Sequence, residues 1–81
     1  MENAVNPHIL EEICKEKMPF GKYQGRILAD LPVSYLEWFV RNGGFPKGKL
    51  GMQLATLYEI KINGLEEILF RLKNKLYDTD Y

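Results

Sequence analysis

With 81 residues, the chain has material for one core and none for a second, which excludes two-domain enzymes. At 46% hydrophobic and 27% charged, with seven glycines and four prolines, its make-up is that of an ordinary globular protein, not a disordered, collagenous or disulfide-built one. Eleven basic residues balance eleven acidic ones, so no global field draws it to nucleic acid or an anionic membrane, and any such attraction is local.

Asn6 and Pro7 suit a helix N-cap and first helical position. Ile9, Leu10, Ile13 and Cys14 recur behind them at helical spacing, which predicts a short helix over 7–17. Glu11 and Glu12 near its start and Lys15 and Lys17 near its end complement the helix dipole, and Pro19 stops it. From Met18 to Leu28, two short apolar pieces flank Gly21 and Gly25, the pattern of a small β-hairpin. Glycine takes positive φ without the clash of a Cβ, so five residues can reverse the chain there. Two such strands are marginal alone and are expected to pack on helices.

Leu31 and Pro32 lead into a second helix. Ser34 and Glu37 form a capping-box pattern, whereas Pro32 in the first turn moves the start forward. Either start gives a helix through Tyr35, Leu36, Trp38, Phe39 and Val40 to about Arg41, closed by Asn42, Gly43 and Gly44. Trp38 and Phe39 are assigned to the core, because aromatics on a short helix supply buried area. Phe45 to Lys49 is a connection. Leu50, Leu54, Leu57 and Tyr58 then stripe a third helix that ends at Asn63 and Gly64. Leu65, Ile68, Leu69, Leu72 and Leu76 stripe a fourth, with Glu67 and Arg71 spaced to pair on its surface. The last two helices are expected to form an antiparallel αα-hairpin, and residues 77–81 to fray. The expected class is α+β and mainly helical: about four helices and one small β-hairpin in a single compact domain over 1–81.

Catalytic groupings are sparse. Cys14 is the only cysteine and His8 the only histidine. No internal disulfide, zinc ribbon or redox pair can be built, and a reducing cytoplasm is the simplest home. A Cys14/His8 dyad has no third orienting group, so Cys14 is assigned to the core as a small hydrophobe. Glu11 and Glu12 point apart, as do Glu66 and Glu67, so no catalytic residue, metal or cofactor is expected. The N-terminus lacks the pattern of a cleaved signal peptide, and no apolar run reaches membrane-spanning length. The segments at Gly21–Gly25 and Gly48–Gly51 lack Walker spacing. A helix starting near Lys49 would offer free N–H groups to an anion; the preferred reading is that Gly48 and Gly51 permit a close turn.

Charge does segregate. Residues 15–50 hold seven basic and three acidic residues, a net +4 between acidic flanks of −3 and −1. Lys22, Tyr23 and Arg26 on the hairpin loop, with Lys47 and Lys49 on the later connection, form the candidate nucleic-acid-binding set. Lysine and arginine neutralise phosphates, and a tyrosine face accepts an unpaired base.

Met18-Pro19-Phe20-Gly21-Lys22-Tyr23-Gln24-Gly25 followed by Leu31-Pro32-Val33-Ser34-Tyr35-Leu36-Glu37-Trp38-Phe39 resembles the putative quorum-sensing-regulated virulence factor family of small bacterial proteins. The resemblance extends through Phe45 to Gly51 and Tyr58 to Leu65, covering about 18–72. It implies a regulatory setting and no mechanism. Phe20, Gly21, Lys22, Tyr23, Gly25 and Arg26, with Tyr35, Leu36 and Trp38, are also similar to a C-terminal accessory module of proofreading-type bacterial exonucleases, which implies nucleic-acid contact. The nuclease domain with its metal-binding acids has no counterpart here, so hydrolysis does not carry over. The expectation is a non-enzymatic nucleic-acid-binding or regulatory module of the bacterial cytoplasm. The competing expectation is a protein-interaction module or homodimer, motivated by Met52 and Phe70, which lie off the apolar stripes.

Overall fold

The computed structural model describes residues 8–77, with side chains through residue 75. Helix α1 spans Ile9–Lys15, α2 Val33–Arg41, α3 Lys49–Ile62 and α4 Glu66–Tyr77, with a 3-10 turn at Leu28–Asp30 between α1 and α2. The predicted cap at Asn6 and Pro7 and the fraying of 78–81 lie outside the described residues.

Among the described residues there is no β-strand, so the fold is all-helical and the α+β expectation is corrected. The would-be hairpin is one antiparallel bridge, Lys17 opposite Ile27. The Leu28 N–H donates to the Glu16 carbonyl at 2.9 Å and the Met18 N–H to the Arg26 carbonyl at 2.8 Å. Pairing stops there for local reasons. On one side the Arg26 N–H turns into the loop, donating to the Tyr23 carbonyl at 3.0 Å instead of to Met18, and on the other Leu28 has already entered the 3-10 turn. Between the bridged residues the Gly25 N–H donates to the Met18 carbonyl at 2.8 Å, with Gly21 and Gly25 at φ of 79° and 90°, the backbone freedom the sequence requires there.

Pro32 caps α2, so Ser34 lies inside the helix and no side-chain capping bond forms at its start. The asparagine-glycine stops act as read. The Asn42 side chain donates to the Trp38 carbonyl and that of Asn63 to the Glu59 carbonyl, each at 2.7 Å. The Gly44 N–H reaches the Phe39 carbonyl and the Leu65 N–H the Ile60 carbonyl, satisfying the last turns of α2 and α3.

Ile13, Cys14, Met18, Leu28, Leu31, Leu36, Leu54 and Leu57 are fully buried and form the centre of the core. α4 packs chiefly on α1 and α2 on α3, so the expected α3/α4 hairpin is replaced by a cross-pairing. As a result the α4 stripe is only partly covered. Leu69 is buried, while Leu65 and Ile68 are exposed. Met52 and Phe70 are exposed as read.

Candidate functional site

The first turn and α2 together build an open groove. Phe20, Gly21, Lys22 and Tyr23 form one wall and Ser34, Tyr35, Trp38 and Phe39 the other, with Pro46 of the later connection closing it; it encloses about 770 Å³. The rings interlock edge to face, Tyr23 on Tyr35 at 4.7 Å, Tyr35 on Phe39 at 5.1 Å and Trp38 on Phe39 at 5.3 Å between centroids. Phe45 carries the aromatic chain on to Tyr58 of α3. Such pairs add about 0.5–1.5 kcal/mol each beyond buried area, which fixes the groove's shape.

Glycine decides how closely the walls approach. A Cβ on Gly21 would stand 3.2 Å from the Tyr35 hydroxyl. Burial, with Tyr23 alongside, raises the Tyr35 pKa, so its hydroxyl keeps its proton and can donate. At the far end, a Cβ on Gly51 would collide with the Pro46 carbonyl, so glycine in the first turn of α3 lets the connection lie flat against the helix.

Three of the five predicted site residues come together. Lys22 Nζ lies 5.6 Å and Arg26 Cζ 5.0 Å from the centroid of the Tyr23 ring, close enough for cation–π attraction. Among the described residues neither cation pairs with a carboxylate, and no acidic side chain lines the groove. Lys47 is exposed beside Pro46. Lys49 is turned away, its ammonium 3.3 Å from Glu16 and 4.0 Å from Glu12 on α1.

Within the groove, the rings most available for stacking are ones that sequence reasoning missed. Tyr23 is half-buried and engaged. Trp38, assigned to the core, is 56% exposed, and Phe20 is 44% exposed. A helical wheel holds the signal for Trp38. At 3.6 residues per turn it lies roughly 160° round the helix from Leu36, and Leu36 is fully buried.

A family model described as putative quorum-sensing-regulated virulence factor matches residues 6–72. The chain belongs to that family. In Escherichia coli K12, the protein described as "Uncharacterized protein YpeB" is 49% identical over 67 residues, covering 83% of this chain and 93% of that protein. The protein of the same description from Escherichia coli O157:H7 matches to the same extent. Neither is described as a nuclease, so the similarity to the exonuclease module gains no support from them. No solved structure gives a significant match. The span that matches the virulence-factor family contains both walls of the groove and Pro46.

In this member of the virulence-factor family, the other residues singled out by sequence sit in structural surroundings. Cys14 is fully buried, its thiol donating to the Leu69 carbonyl at 3.7 Å and so linking α1 to α4. Burial pushes that thiol's pKa up, against the opposing pull of Lys73. Among the described residues no group of three or more His, Cys, Asp or Glu is placed to hold a metal ion, and no helix is long and apolar enough to cross a membrane.

Proposed function

We propose that the protein is a non-enzymatic module of the bacterial cytoplasm that binds single-stranded nucleic acid in the aromatic groove. Lys22 and Arg26 meet phosphate, Trp38 and Phe20 stack on a base, and Tyr23 holds the two cations at the rim. Lys47 stands exposed next to Pro46 at the closing end, while Lys49 serves the α1/α3 contact. One juxtaposition carries this reading. Arg41, Lys49, Lys61, Arg71 and Lys73 each have a carboxylate within 4.0 Å, and of Lys15, Lys17, Lys22, Arg26, Lys47 and Lys75, which have none among the described residues, it is Lys22 and Arg26 that gather over one aromatic ring, that of Tyr23. Uncompensated cations beside exposed rings suit a strand that offers phosphates and unpaired bases together. Exposed Met52 and Phe70 favour the competing protein-docking reading, which leaves the basic rim without a role.

The test is fluorescence anisotropy of a labelled single strand and its duplex, with the protein titrated at several salt concentrations. The single strand is expected to bind more tightly. Joint replacement of Lys22→Ala and Arg26→Ala is expected to weaken binding and to flatten the log–log salt slope by about 0.7 for each phosphate no longer neutralised. Absence of binding, or binding indifferent to that double variant, overturns the proposal.

A further inference from the structure

Granting that the groove is the nucleic-acid site, we infer that it seats a single nucleotide, with the base between Trp38 and Phe20 and its phosphate on Lys22 and Arg26, instead of tracking an extended strand. Three observations carry this. The groove's 770 Å³ falls in the roughly 300–1,000 Å³ that holds one small organic molecule. Lys22, which lines the groove, and Arg26, which adjoins it through Tyr23, both lie within 5.6 Å of that one ring centroid, so positive charge is gathered at one place. Beyond Lys47, exposed next to Pro46, it does not continue onto α3, because Glu16 and Glu12 hold Lys49. The shared chemistry is a planar base carrying a phosphate, supplied by an unpaired position in a strand or by a free mononucleotide.

Trp38 is the only tryptophan and sits in the groove, so its fluorescence reports occupancy directly. The probes are thymidine 5′-monophosphate and thymidylate oligomers of about 2, 4, 8 and 16 nucleotides, the lengths bracketing the site size of roughly 4–16 nucleotides of known single-strand folds. The expected result is saturable quenching already complete with the dinucleotide. Affinity then rises only with the number of positions a longer strand offers, and the log–log salt slope stays between about −0.7 and −1.4 at every length, as for one or two phosphates. A monophosphate as tight as the dinucleotide identifies a free nucleotide as occupant, and a much weaker one identifies a strand position; both uphold the one-nucleotide seat. Affinity that climbs steeply with length, with a slope steeper than about −2, overturns the seat and leaves the single-strand reading standing. No response by quenching or anisotropy to any probe overturns both. As a control, Trp38→Ala, at an exposed position, is expected to cost about tenfold or more in anisotropy with the labelled tetranucleotide, and Trp38→Phe to retain most of the affinity.

Discussion

Gln53 is 2% exposed and shows how one polar residue joins two helices. Its amide donates to Glu12 at 3.0 Å and to Glu16 at 3.1 Å, placing a donor between two carboxylates that would otherwise repel. That bond, ahead of the nearby Lys49 ammonium and against partial desolvation, holds the Glu16 carboxyl below the usual carboxylate range. A carboxyl whose pKa is lower folded than unfolded adds stability above its ordinary value of about 4.3, and this is lost as pH falls through the lower folded value. Gln53→Leu is therefore expected to cost about 1–3 kcal/mol at pH 7, and urea melts at pH 3 should show a smaller difference between variant and parent. Equal losses at both pH values would detach Gln53 from these carboxylates. At this scale the sequence is legible only in part. The burial of Cys14 follows from its helical spacing. Pairing of Lys49 with α1 does not, because no local pattern says that two segments 33 residues apart come into contact.

The helices themselves are legible, since apolar spacing and asparagine-glycine stops are local signals, and α2 and α3 end where those stops lie. The hairpin fails to form for an equally local reason. Gly21 and Gly25 do reverse the chain, but the Arg26 N–H donates to the Tyr23 carbonyl inside the turn and Gly25 takes the Met18 carbonyl, so no second pair forms. Helix pairing is not legible either: an amphipathic stripe on α4 says that it packs, not that it packs on α1. Gly51 marks the boundary between local and tertiary reasoning. In a free helix, exchanging glycine for alanine gains about 1 kcal/mol. Here the added methyl meets the Pro46 carbonyl, and overpacking of this kind costs about 1–3 kcal/mol. Gly51→Ala is expected to lower the melting temperature by several degrees; an increase would show that the connection is free to move off the helix.

Over the whole molecule, eleven positive and eleven negative charges cancel, yet the fold distributes them unevenly. Carboxylates of α1, α2 and α4 and Asp30 meet cations near them, leaving the first turn positive beside the exposed rings of the groove. The sequence marks the central basic segment; in the structure Lys22 and Arg26 gather on Tyr23, Lys47 is exposed beside Pro46, and Lys49 pairs with Glu16 and Glu12. The account is tested most directly by amide chemical-shift mapping of the labelled protein against a short oligothymidylate. It predicts shifts concentrated over residues 20–26, 34–39 and 47 and on the Trp38 indole N–H; shifts centred on α4 around Phe70, with the groove unmoved, would contradict it.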